Sequence, residues 1–338
     1  MKQSRRWAFV ALAAAFTLFA AACSDVNSNT DTGDSSNSDA AVPDNSGTTV
    51  NIAVNAWVGS AANANVAKAL LEDKLGYTVE LTEIDEYAQF PALSTGDLDA
   101  TLEVWPSGHA KDVKKYIDGQ NGVVDGGLIG VNGQIGWWIP TYMLDANPEL
   151  ETWEGIKGNE DMFKTAESGS AGQLLDGDPS YVTFDQSIAD NLGVNLKVVY
   201  AGSEAAELSA LDAAYQKQDP ILMYFWTPHW AQSKYDLTNI ELPEVSPACE
   251  AAAADNVDAY ACAYPPDPLF KAFSDGLEAK APAAFALLGA MSYTNDDQNG
   301  IGLDISDGMD PQEAAQKWID ANPDVWQPWV DAGLGAQG

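Results

Sequence analysis

Four of the eleven tryptophans in this 338-residue chain share a kind of position. Trp57 follows the run Thr49–Ala56, and Trp105 follows Asp99–Val104. Trp138 stands near the end of the glycine-broken stretch Gly126–Pro140, and Trp226 closes Ile221–Trp226. Each stands just past, or near the end of, a stretch that reads as extended. An indole presents a broad apolar face with a negative quadrupole, worth about 0.5–2 kcal/mol to a desolvated cation. Several indoles together suit a cation that has no hydrogen to donate, such as a quaternary ammonium. They also suit the apolar face of a sugar, but sugar sites need Asp, Asn, Arg and Lys contacts as well. No Lys or Arg stands immediately beside these four tryptophans, which favours the ammonium.

Other chemistry finds little material. His109 and His229 are the only histidines, too few for a histidine-based zinc site. No nucleophile–base pair and no Cys/His cluster has usable spacing, so neither a metal nor a cofactor is expected. The chain reads as a binder rather than an enzyme. The rival classes are a surface sugar-binding module and a choline-modifying enzyme of the same cleft.

To bring these tryptophans together, the elements must place strand ends at one crevice. Thr49–Ala56, Tyr77–Leu81 and Asp99–Val104 read as strands, separated by helices over about Ala61–Leu75 and Glu86–Ser94. This β-α-β-α-β order predicts a parallel sheet, and such sheets bind ligands outside their carboxyl ends. Gly126–Pro140 reads as a strand pair or crossover. A second unit follows, with helices at Tyr142–Ala146, Glu151–Ile156, Phe184–Asn191 and Glu204–Gln218. Its strands are Leu196–Tyr200 and Ile221–Trp226, and an extended return runs over Ile240–Val245. The tail, from Pro265, reads as helical, with segments at about Pro268–Ala279, Ala283–Ala290 and Pro311–Ala321. It shows no sheet of its own and must pack on the first unit. The result is an α/β, bilobed chain: residues 49–140 plus 243–338 form lobe I, 141–242 form lobe II, and two crossings join them.

The charge balance points outward. Sixteen Lys and Arg stand against 50 Asp and Glu, which argues against nucleic acid as a partner and reads as a solvated acidic surface. Residues 1–22 read as a signal peptide: Lys2, Arg5 and Arg6, the apolar run Trp7–Phe19, then Ala20-Ala21-Ala22. Cys23 follows directly, resembling the bacterial lipobox, so lipidation there and anchoring to the outer face of the cell membrane are expected, with a plain periplasmic form as the alternative. Residues 24–48 are rich in Ser, Asn, Asp and Gly and read as a disordered tether. An exported chain with Cys249 and Cys262 remaining is expected to join them in a disulfide, worth about 3 kcal/mol for so short a loop.

A family resemblance sharpens the site. Trp105-Pro106-Ser107-Gly108-His109, the preceding Gly96-Asp97-Leu98-Asp99, and Tyr224-Phe225-Trp226-Thr227-Pro228-His229-Trp230 resemble the substrate-binding proteins of glycine betaine/choline ABC transporters. Leu75-Gly76-Tyr77 and the tail pattern Trp318…Trp326…Trp329 are similar too, so the likeness spans about Thr49 to Val330. It implies a type II periplasmic-binding-protein fold, a monomer that hands a quaternary amine to an ABC permease in osmoprotection. It also implies an aromatic cage in which Trp105 and Trp226 are walls and His109 stands near the ligand carboxylate. One branch has a further cage Trp in the region matching Ser168–Tyr181, where this chain has only Tyr181 as an aromatic. Tyr181, Trp57 and Trp138 therefore compete for the third wall. Ser60, at the start of the first helix, marks a second possible anion site. Glu103 shares strand parity with Trp105, as a cleft group or as a paired structural carboxylate. The ligand could be glycine betaine, proline betaine, choline or carnitine.

Overall fold

The computed structural model describes residues 42–337. The expected leader (1–22), Cys23 and most of the tether lie outside the described residues. The end of the tether is bound to the body. Asn45 Nδ2 donates to the Leu75 carbonyl at 2.7 Å, and Thr78 Oγ1 donates to that of Ser46 at 3.1 Å.

Nine strands build one sheet: β1 Thr49–Val54, β2 Thr78–Glu83, β3 Ala100–Val104, β4 Val123–Pro140, β5 Gly172–Asp176, β6 Leu196–Tyr200, β7 Met223–Thr227, β8 Leu237–Asn239 and β9 Asp267–Ser274. Their order is β2-β1-β3-β9-β4-β7-β5-β6, with β8 also on β4. As the βαβ pattern requires, β1 runs parallel to β2 and β3, and β5 parallel to β6 and β7. Helices α1 Val58–Leu75, α2 Glu86–Thr95 and α3 Pro106–Asp112 follow the first three strands. Each boundary has a local cause. Gly76 takes the left-handed conformation (φ 70°) that stops α1, and Pro106 starts α3 where no N–H is needed.

The two halves of the sheet share β4. Its residues from Val123 to Gly133 pair with β9, and those from Gln134 to Pro140 pair with β7 and β8. The glycine-broken stretch is thus one strand with register shifts, and the passage between halves falls inside it, ahead of Pro140.

Two sequence expectations need correction. Residues 268–279 do not form a helix. Most of them lie in β9, which is antiparallel to both β3 and β4. A short apolar run buried on both faces has no periodicity to separate strand from helix, and Lys271 in its middle hid the signal. That lysine is buried, and its Nζ donates to the carbonyls of Gly289 and Met291. β5 lies in a stretch not read as a strand at all. Helices Pro282–Ala290 and Pro311–Ala321 fall where expected; Asn295–Ser306 lies in a stretch not read as a helix, and the last helix is Pro323–Gly335. All four pack against α1. Cys249 and Cys262 are bonded, with Cα atoms 6.2 Å apart. No helix among the described residues is long and apolar enough to cross a membrane.

Candidate ligand cage

Five aromatic side chains meet at the carboxyl ends of the central strands. Trp57 ends the turn after β1, and Trp105 caps α3 after β3. Tyr181 stands in the loop after β5. Tyr224 and Trp226, two apart on β7, point to the same side. With Glu86, Gly108, Ile135 and Val182 they line one narrow cavity. Tyr181 is the hinge of the cluster: its ring centroid lies 5.9 Å from Trp57 and 5.7 Å from Trp226, at interplanar angles of 72° and 88°. Tyr224 lies 6.1 Å from Tyr181 and 6.0 Å from Trp226. Gly133 is required here by close approach, since a Cβ on it would overlap the Trp105 ring.

The indoles of the first half are fixed from behind by Glu103. Its Oε1 accepts from Trp57 Nε1 at 2.7 Å and Trp105 Nε1 at 3.0 Å, and its Oε2 accepts from Asn63 at 2.6 Å and Gln298 at 2.8 Å. Burial raises its pKa and the N–H donors of Trp57, Trp105 and Gln298 oppose that, leaving it at about 7. Behind the rings of the second half lies a second acidic group. Asp176 is raised to about 8 by burial and by the charge of Asp185. Asp185 is raised to about 7 by burial, against hydrogen bonds from Trp137 and Tyr264. Glu207 is pushed well up by burial and by Asp176, and neither of its oxygens has a hydrogen-bond partner.

Hydrogen bonds cross the cleft beside the cage. Tyr181 Oη donates to the Ala56 carbonyl at 3.0 Å, and Tyr87 Oη donates to the Tyr181 carbonyl at 3.0 Å. The Val182 N–H donates to Glu86 Oε2 at 2.8 Å, and the Val58 N–H donates to Glu204 Oε2 at 2.7 Å.

The site residues expected from sequence divide clearly. Trp105, Trp226, Trp57 and Tyr181 all line this cavity. Trp138 does not line the cavity; it is buried elsewhere in the core, its Nε1 without a partner. His109 is also outside the lining. It lies behind the wall, with Nε2 2.9 Å from Glu86 Oε1 and Nδ1 2.9 Å from Asp112 Oδ2. Burial pulls its pKa down, but the two carboxylates outweigh that and raise it to about 9. Both of its ring nitrogens already face carboxylates of the protein.

The anion sites expected at helix starts are filled as well. Asp267 accepts from the Ser107 N–H and hydroxyl at the start of α3, both at 2.7 Å, and Glu204 occupies the start of α1. Sequence reasoning missed Tyr224 and Glu86. The period-two spacing of Tyr224 from Trp226 carried the first signal. Nothing local carried the second. Among the described residues no group of three or more His, Cys, Asp or Glu is placed to hold a metal ion.

An α/β sheet whose two halves share one long strand, with an aromatic cage at their junction, defines a bilobed binding protein of the type II periplasmic class. Residues 48–321 match the family model described as the substrate binding domain of the ABC-type glycine betaine transport system. The chain belongs to that family, whose members are transport binding proteins that work with an ABC permease. It is similar to the trimethylamine N-oxide-binding protein of Pelagibacter ubique, 26% identical over 282 residues, covering 81% of this chain and 88% of that one. A 129-residue stretch is 33% identical to the glycine betaine/carnitine transport binding protein GbuC of Listeria monocytogenes, 38% of each chain. Among solved structures, a choline-bound ABC-transporter choline binding protein superposes with a TM-score of 0.68 at 19% identity, covering 85% of this chain and 96% of that one. Lactococcal OpuAC, closed on glycine betaine, gives 0.65 at 22% identity, over 84% and 99%. At these identities the superpositions establish the fold alone.

Proposed function

We propose that this chain is the extracytoplasmic receptor of an ABC importer and binds glycine betaine or a related quaternary ammonium osmoprotectant. Trp57, Trp105, Tyr181, Tyr224 and Trp226 form the cage. The observation that carries the reading is that five rings converge on a cavity with no lysine or arginine in its lining. Such a wall attracts a trimethylammonium group through ring quadrupoles and apolar burial and leaves a sugar without its polar contacts. The chain acts by binding, as a monomer. The lobes are joined within β4 and again between β8 and β9, and Cys23 carries the lipid anchor outside the cell membrane. Closure brings Tyr181, Val182 and Glu204 against Ala56, Val58, Glu86 and Tyr87 and presents both lobes to the permease.

A choline-type ligand, without a carboxylate, is the second reading. One observation favours it: the protein's own Asp267 and Glu204 already occupy the helix starts where a ligand carboxylate would find donors.

Calorimetric titration with glycine betaine, choline, carnitine and a sugar panel tests both readings. The wild type is expected to bind a quaternary amine, and Trp105→Ala combined with Trp226→Ala should lose about a hundredfold or more in affinity. Full affinity in the double variant, or sugar binding without a quaternary amine response, overturns the assignment.

A further inference from the structure

We propose that Glu103 is a positioning and specificity residue of the cage: it locks the indoles of Trp57 and Trp105 in place and supplies the buried negative charge that a quaternary ammonium sees through them. This rests on the cage reading above.

Three observations carry it. First, one carboxylate oxygen accepts both indole N–H groups, at 2.7 and 3.0 Å. The two first-half walls therefore share a single anchor and cannot turn independently. Second, that anchor is itself immobilised. Asn63 and Gln298 donate to its other oxygen, the Tyr293 hydroxyl holds Asn63, and Gly59 leaves no room for a side chain against the carboxylate. Third, Glu103 is 2% exposed, in a chain whose other acidic residues are mostly at the surface. An indole that donates its N–H to a carboxylate carries a more negative ring face. The carboxylate also acts at short range through a medium that screens poorly. A ligand cation on the cavity side of the rings would therefore strengthen the charged form of Glu103, and the charged form would strengthen its hold on the cation.

Other groups that titrate nearby have to be separated from this one. Glu204, from the helix Glu204–Lys217, acts on Glu103 through its charge. Tyr293, just before the helix Asn295–Ser306, feels Glu103 in turn. Trp57, Asn63, Trp105 and Gln298 do not titrate. Glu103→Gln isolates the effect. The amide oxygen can still accept both indole N–H groups, and concerted flips of the Asn63 and Gln298 amides can satisfy the new NH₂, the Tyr293 hydroxyl then accepting from Asn63.

The measurement is the dissociation constant for choline and for glycine betaine, in wild type and Glu103→Gln, at about pH 5 and about pH 8, with near-ultraviolet dichroism as the check on folding. The wild type should tighten as pH rises and Glu103 ionises. The variant should be weaker by about tenfold at the higher pH, the equivalent of one pKa unit, and little changed at the lower. A loss of equal size at both pH values, or none, overturns the inference. Should the variant fail to fold, calorimetry of the wild type in buffers of different ionisation heat decides it: proton release on binding near neutral pH is expected, and its absence is fatal. A wild type that binds neither choline nor glycine betaine would instead sink the proposed function, so the two failures remain distinct.

Discussion

The two walls of the cage rest on acids in opposite conditions. Behind Trp57 and Trp105, Glu103 accepts four hydrogen bonds, from two indoles and two amides. Behind Tyr181, Glu207 accepts none. Both are buried, so both resist ionisation. The difference lies in the donors. At Glu103 they hold the pKa at about 7, within reach of physiological pH. At Glu207 nothing opposes burial, and the nearby Asp176, Glu204 and Asp185 raise the pKa still more. One wall has an ionisable anchor, and the other has a carboxyl that burial and its acidic neighbours push toward the neutral form. Burial thus makes a carboxyl expensive, and its hydrogen-bond partners decide whether it carries charge. A binding site for a cation can have an anion on one side only.

The sharpest way to break this contrast is to remove the satisfied acid. Glu103→Leu would leave the N–H groups of Trp57, Trp105, Asn63 and Gln298 without an acceptor. Each such buried group costs about 1 kcal/mol or more. A loss of roughly 3–5 kcal/mol in stability is expected by denaturant titration, together with loss of quaternary amine binding. A change below about 1 kcal/mol would mean that the network is not holding the indoles.

How much of this was readable in the sequence depends on whether an interaction is local. The strand–helix order, the strand-end positions of Trp57, Trp105 and Trp226, and the disulfide followed from periodicity, turn residues and spacing. So did the parity of Glu103 with Trp105, although its four donors come from the turn before α1, from α1 itself, from the start of α3 and from a tail helix. β9 was hidden because an apolar run buried on both faces has no period, and Lys271 broke even that run. His109 was misplaced for a related reason. The start of a helix advertises an anion site, but only the fold shows that Glu86, 23 residues away in sequence, has already claimed the ring. Trp138 failed on the same ground, because alternation says which way it faces relative to Trp137 and nothing about what lies there.

The next test is pH, and its sign follows from the direction of the shifts. Asp176 is raised to about 8, Asp185 and Glu103 to about 7, and Asp267 to about 6 by burial against its bonds from Ser107. A carboxyl with a raised folded pKa keeps its proton in the native state after the unfolded chain has released its own. Stability is then fully present below the unfolded value and falls as pH rises through the folded one. His109, raised to about 9, adds stability below its unfolded value that is lost on the way to 9. All five act in one direction, so the unfolding free energy should fall from about pH 5 to about pH 8, by roughly 1.4 kcal/mol per pH unit for each proton of difference, and the melting temperature with it. Asp176→Asn should flatten this slope, because burial and the charge of Asp185 keep the Asp176 proton on in the folded state. An unchanged slope, in melting curves taken across the range, would mean that Asp176 is ionised in the native protein.

The smallest expected effect discriminates best, because it asks whether Glu207 acts on the ligand at all. Glu207→Gln keeps the shape of a protonated glutamate and removes the proton equilibrium. At about pH 5 the two proteins should melt alike. At about pH 8 the wild type must hold a proton that its unfolded chain has already given up. The variant has no such cost, so it should melt higher, by about 2–4 °C per kcal/mol gained. Affinity for a quaternary amine should stay within about twofold of wild type at both pH values, since a neutral group replaces a neutral group and no cage ring loses a partner. If Glu207→Gln instead weakened binding with the pH profile expected of Glu103→Gln, Glu207 would be charged in the native state. The cation would then sit between two anions, and the asymmetry of the walls would be lost.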